Sequence, residues 1–379
     1  MLPAPKPDGL SLADVLESCL SAIRGQGNRL GLPPIERAVV LLVDGLGAEA
    51  LKATAGHART LSGALTTKSV IEAGFPTTTA AALASLTTGQ LPGQHGLVGY
   101  SVLDSAHDRV VNQLSGWDEN LDPTTWQLQP TIFERASAAG LGAAAVGTER
   151  YRDSGFTRAV LRGAQYVSGS SISARMQRAA ELAAQPGPPG LIYVYVPELD
   201  MAAHAHGWES REWTAALETT DSAVRDLVAA LGPRAGLLVT ADHGIIDVPT
   251  RSHVLIDSAP ALLDGIRFVA GEPRCLQLHF EPELSATLRA ALVDQWRAAE
   301  SDRSWVLTRE EFVQSGWLGA VRPDVAPRIG DIIVAARKSI AYYDSRTASP
   351  HARAMIGQHG SATQPELRVP LLRFGAFAA

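Results

Sequence analysis

Two cysteines, Cys19 and Cys275, stand in 379 residues, too few for a disulfide framework and too isolated for a structural zinc site. That scarcity suits a reducing interior. No stretch approaches the roughly 20 apolar residues needed to cross a bilayer, so no membrane span is expected. The opening MLPAPKPDGLSLADVLESCL has no basic segment followed by an apolar one. A secretory signal is therefore not expected, and a cytoplasmic protein is the default. Basic residues are not in excess either: 33 Lys and Arg against 39 Asp and Glu leave a formal net charge of −6. An acidic balance argues against a nucleic acid polymer as partner while allowing a local site for a small phosphorylated molecule. Repeats of fixed period and low-complexity tracts are missing as well, although AAQPGPPG before residue 191 has the composition of a loop.

What is present is a soluble globular composition, 46% apolar and 19% charged, on a chain long enough to bury a large core. AVVLLVDGLG (38–47), LIYVYVPELD (191–200) and GLLVTADHG (236–244) contain continuous apolar runs, the pattern of strands buried on both faces. Between and around them TIFERASAAGL, ARMQRAAELAA and WTAALETTDSAVRDLVAALG have helical length and spacing. This alternation predicts an α/β fold with a mainly parallel sheet covered by helices. A separate unit is expected between 255 and 335, where RFVAGEPRCLQLHF reads as two strands around a Gly-Glu-Pro turn, followed by the helix ELSATLRAALVDQWRAAE and the strand SWVLTREEF. The expected organisation is thus a catalytic core from 1–254 and 336–379 carrying an inserted α+β cap.

In parallel sheets ligands bind beyond the carboxyl ends of the strands, and each of the three runs leads there to aspartate. Asp44 alone could equally cap a helix or form a turn. Asp200 and His204 are four apart and share a face if a helix begins at the strand end, a spacing at which carboxylate and imidazole can bind one ion. Capping by Asp200 and packing of His204 is the alternative, and His206 falls off that face. Asp242 and His243 adjoin at another strand terminus, and His359 sits in GQHG near a glycine on each side. Together Asp44, Asp200, His204, Asp242, His243 and His359 would furnish two divalent ions with three ligands each.

GFPTTTAAALASLTTG supplies a hydroxyl cluster. A helix beginning among Thr77, Thr78 and Thr79 and ending near Gly89 puts these hydroxyls at its positive end, where a phosphate is favoured. An ordinary N-cap with spare hydroxyls is the simpler alternative; beside a divalent ion, one of them becomes a candidate nucleophile.

The segments VDGLG, FPTTTAAALASLTTGQLPGQHGLVG, ELDMAAHAHG, TADHG and GQHGSATQPELRVPLL resemble, in order and spacing, the alkaline phosphatase superfamily, and most of all its type I phosphodiesterase/nucleotide pyrophosphatase family. The resemblance runs from about residue 38 to 372, outside the inserted region. It implies an alkaline-phosphatase-like three-layer sandwich and two ions, Zn2+ or Mn2+, one on Asp44, Asp242 and His243 and the other on Asp200, His204 and His359. It implies Thr79 as the nucleophile, with Thr77 and Thr78 as neighbouring alternatives, attacking phosphorus in line to give a phosphothreonine that water then hydrolyses. One position departs. Tyr100 stands where nucleotide-cleaving members carry an asparagine that contacts a phosphate oxygen, which leaves open a different phosphodiester, a monoester, a phosphonate or a phosphomutase reaction. A non-catalytic protein that binds a phosphorylated ligand is the remaining alternative. Segment 151–167 could carry a substrate-facing loop, with Arg152 and Arg158 expected in solvent.

Overall fold

The computed structural model describes residues 2–378. Strands β1 (Arg37–Val43), β2 (Val70–Glu72), β3 (Ala143–Gly147), β4 (Gln165–Ser168), β5 (Leu191–Val196) and β6 (Ala235–Thr240) come first. The chain then builds a second sheet from β7 (Ile266–Glu272), β8 (Cys275–Phe280), β9 (Ser304–Thr308) and β10 (Ile332–Ala336), and returns as β11 (Arg368–Gly375).

The central sheet has the order β2-β11-β6-β1-β5-β3-β4. β1, β3, β4, β5 and β6 run parallel, while β11 pairs antiparallel with β6 and β2. Apolar runs form the middle strands because every position there is covered: all but Arg37 in β1 and all six residues of β6 are buried. Helices Ala13–Ile23, Thr79–Thr88 and Ile132–Ala138 pack together as one group, and Ile172–Ala184 with Arg211–Ala230 as another, both resting on this sheet. The result is the mixed α/β layered fold expected from the pattern.

The second sheet is antiparallel with the order β7-β8-β10-β9, and helix Ala286–Glu300 is placed between β8 and β9 in the chain. Its last strand ends at Ala336. The β7-β8 hairpin turns at Pro273–Arg274, two residues past the glycine, because Glu272 still pairs with Cys275. One face of this unit is not separate from the core: Phe75, Val98 and Leu121 share an apolar cluster with Phe312, Trp317 and Ile333. Among the described residues no helix is long and apolar enough to cross a membrane.

Candidate functional site

β1 lies between β5 and β6, with Val43 beside Val196 and Leu42 beside Thr240, so three carboxyl ends emerge side by side. Asp44 follows β1 directly, and Asp242 and His243 follow β6. After β5 the chain turns into helix α2 (Glu198–His206), whose four-residue spacing stacks His204 over Asp200. Gly45 takes φ +72°, and a Cβ there would lie 3.2 Å from that of Asp200. The glycine in VDGLG is what lets the two carboxylates approach. Helix α1 (Thr79–Thr88) begins at the same edge, and the loop after Gln358 brings in His359.

The six expected ligands converge. Asp44, Asp242 and His243 offer ligand atoms within 4.8 Å of one another, as do Asp200, His243 and His359. His204 joins through its Nε2, 3.2 Å from Asp200 Oδ2, and His359 Nε2 is 4.0 Å from Asp200 Oδ1. His243 takes the place of His204 in the tighter second group because its ring stacks on His359 with centroids 3.6 Å apart.

Each imidazole rests its Nδ1 on a backbone carbonyl: His204 on Gly357 at 2.7 Å, His243 on Gly244 at 3.1 Å and His359 on Thr77 at 2.8 Å. A carbonyl only accepts, so Nδ1 carries a proton and Nε2 is turned toward the cluster. Opposite them Asp44 Oδ1, Asp200 Oδ1 and Asp242 Oδ2 are buried without a hydrogen-bond partner. Buried acceptors left unpaired are costly, and cations are what this donor set can satisfy. Imidazole nitrogen with carboxylate oxygen suits zinc or manganese. The charge balance agrees. Burial, with Asp242 and Asp200 adding repulsion, pushes Asp44 well above the ordinary carboxylate range. Burial would also raise Asp200, but His204, His359 and His243 outweigh it and hold it low. Burial likewise opposes protonation of His204, yet Asp200 raises it to about 9. Protons and cations compete for the same surplus negative charge.

The three threonines divide their work. Thr77 is committed: its Oγ1 donates to Ser361 O at 2.8 Å and accepts from Gly360 N at 2.9 Å, tying the helix start to the loop that carries His359. Thr78 is the N-cap residue, and its buried Oγ1 makes no capping bond to the helix. Only Thr79 both lines the neighbouring cavity and touches the cluster, with Oγ1 3.3 Å from His243 Nε2.

That cavity, about 210 Å³, opens beside Asp44, Thr79 and Asp200. Leu83, Leu114, Val146, Phe156, Val160 and Leu161 give it an apolar wall, and Tyr151, Tyr166, Tyr193 and Tyr195 an aromatic one; among the described residues no lysine or arginine lines it, and Arg150 reaches only its rim, donating to Tyr151 Oη at 2.6 Å and to Met201 Sδ at 3.0 Å. Segment 151–167 thus does face the cavity. Tyr193 and Tyr195 carry no signal beyond their spacing, two apart on one face of an otherwise aliphatic strand. Tyr195 OH donates to Asp44 Oδ2, and burial and the Asp44 charge keep that phenol protonated. Tyr100 is exposed at the approach to strand Ser101–Asp104 and is not among the residues lining the cavity. His206 and Arg158 are exposed, and Arg152 pairs with Glu149 at 2.9 Å.

The model of the family described as type I phosphodiesterase / nucleotide pyrophosphatase matches residues 38–362. Among solved structures the chain is similar to an inactive form of murine ectonucleotide pyrophosphatase/phosphodiesterase 5 in complex with AMP, with TM-score 0.69 and 16% identity over 90% of this chain and 88% of that one. It is similar to human ectonucleotide pyrophosphatase/phosphodiesterase 5, with TM-score 0.67 and 16% identity over 89% and 88%. Phosphonoacetate hydrolase from Sinorhizobium meliloti, in complex with phosphonoformate, gives TM-score 0.68 and 18% identity over 90% and 91%. At such identities the likeness is one of fold. No curated protein matches the chain by sequence.

Proposed function

The chain belongs to the type I phosphodiesterase / nucleotide pyrophosphatase family, and we propose that it hydrolyses phosphodiesters carrying an uncharged, largely apolar substituent, with Thr79 as nucleophile. Asp44, Asp242 and His243 would hold one divalent ion and Asp200, His204 and His359 another. When bound, two such ions supply Lewis-acid stabilisation of the attacking and leaving oxygens.

The residues do the rest. Thr79 Oγ1 stands at the mouth of the cavity and at the start of α1; its bond to phosphorus forms as the ester P–O bond breaks, and the hydroxyl proton ends on the ester oxygen, which leaves with its substituent as an alcohol. The amides of the first turn of α1 favour the charge on the phosphoryl oxygens. Thr77 keeps Thr79 and His359 in register, Tyr195 fixes the rotamer of Asp44, and the apolar wall takes the substituent and excludes water. Attack of water on the resulting phosphothreonine returns the hydroxyl to Thr79.

The cavity lining carries the choice of substrate. A monoester dianion, or a phosphonate with its own carboxylate, calls for a cation besides the two ions, and among the described residues no basic side chain lines this cavity, Arg150 being turned onto Tyr151 and Met201 at its rim. A diester brings a single negative charge and an organic group that such a wall can bury. Phosphonate hydrolysis remains the second reading, favoured by similarity in fold to a phosphonoacetate hydrolase. Turnover of an activated aryl phosphodiester against the matching monoester and phosphonoacetate, by zinc- and manganese-loaded protein, separates them. Preference for the diester is expected; preference for either of the others overturns the assignment.

A further inference from the structure

The β7-β8 hairpin carries two ionisable side chains into the interior, and only one of them is in an ion pair. Arg274 is fully buried and satisfied: Nε and Nη2 donate to Glu366 Oε1 and Oε2 at 2.8 and 2.7 Å, and Nη1 donates to the carbonyls of Lys338 and Ile340. Glu272 is 6% exposed, and its Oε1 is buried with no hydrogen-bond partner. Beside it, within reach of a side-chain hydrogen bond to the Glu272 carboxyl, lies Thr78, whose buried Oγ1 has no other partner. Its flank is Gly360, the residue after His359, at φ +128°, where a Cβ would meet Glu272 Cγ at 2.5 Å and Cδ at 2.7 Å. A side chain from the second sheet therefore stands between the residue that precedes Thr79 and the residue that follows His359.

We propose that Glu272 is a positioning residue: its carboxyl, wedged between Thr78 and Gly360, sets the spacing between the loop that carries Thr79 and the loop that carries His359. Nothing in the chemistry of the reacting centre uses it. Burial, with Glu366 adding like charge, outweighs the Thr78 hydrogen bond and pushes this carboxyl well above the ordinary carboxylate range, toward its neutral form. A neutral carboxyl has one donor and one acceptor side, enough to satisfy the Thr78 hydroxyl and its own oxygen together. Glutamine offers the same shape and the same mixed hydrogen bonding, whereas alanine leaves the Thr78 hydroxyl unpaired and a hole over Gly360. An error of a fraction of an ångström between nucleophile and ligand loops is felt in the chemical step more than in substrate binding.

The inference rests on the hydrolase reading for its kinetic arm, so a second arm uses the metal alone. In Glu272→Ala, kcat for an activated diester is expected to fall about tenfold with KM held within about twofold. The variant should bind the second of two zinc ions about tenfold more weakly in an equilibrium titration. Glu272→Gln should match the wild type in both. Thr78→Val, which keeps the backbone cap and removes only the hydroxyl, should behave like Glu272→Ala and decides the matter if the alanine variant does not fold. If Glu272→Gln is as impaired as Glu272→Ala, or if Thr78→Val retains full kcat and zinc affinity, the proposal is wrong. A wild type inert toward every ester but with the predicted difference in zinc affinity would instead overturn the hydrolase reading and keep this one.

Discussion

Thr79 and Thr77 are two residues apart, and their surroundings differ in a way that bears on the choice of nucleophile. Thr77 has both its hydroxyl bonds used within the protein, whereas Thr79 faces His243 and the cavity. Thr79→Ala is therefore expected to abolish ester turnover while retaining bound metal, measured by assay and elemental analysis of one preparation. Full activity would move the nucleophile elsewhere. Tyr195→Phe removes the hydroxyl that holds Asp44 and should weaken metal binding about tenfold with little loss of fold stability, checked by zinc titration and thermal melting. The six acidic and histidine residues were legible because strand ends and glycine-flanked loops announce them. Tyr195 and Glu272 were not, since their importance comes from contacts with Asp44 and Gly360 that no local pattern encodes.

Among the elements, the central strands followed from uninterrupted apolar runs, and α1 from threonines at one end and Gly89, at φ +69°, at the other. In the hairpin, Gly-Glu-Pro predicts a turn over 271–273, whereas Gly271, at positive φ, and Glu272 stay paired within the strand and the reversal occurs at Pro273–Arg274. Gly45 is the converse case, a glycine required by its place. Gly45→Ala should cost about 1–2 kcal/mol from the left-handed backbone alone and also reduce metal content by pressing on Asp200, read from denaturant melts and zinc stoichiometry. On β8, burial holds His279 at about 4, below its ordinary 6.5. The unfolded chain takes up that proton first, so stability falls as pH drops below about 6.5 and the effect saturates below about 4. His279→Gln should accordingly show a smaller drop in melting temperature between pH 7 and pH 5 than the wild type; an equal drop would assign the acid sensitivity to other groups.

For the whole molecule, a parallel sheet gathers residues from positions 44 to 243 on one edge, and the return of the chain through β11 adds His359 from near its end. The sheet's direction makes that edge predictable from sequence, whereas the cavity wall depends on how helix Gly155–Val160 and α1 close over it. Several buried carboxylate oxygens without partners, set against histidine nitrogens turned inward, mean that the fold concentrates charge it does not neutralise by itself. Chelation should therefore lower the melting temperature as well as stop turnover, and zinc or manganese should restore both. This edge is expected to hold two ions. Elemental analysis of zinc-loaded protein after removal of free metal measures it directly: two ions per chain are expected, falling in Asp200→Ala and His359→Ala, while one ion or none in the well-folded wild type would contradict the account.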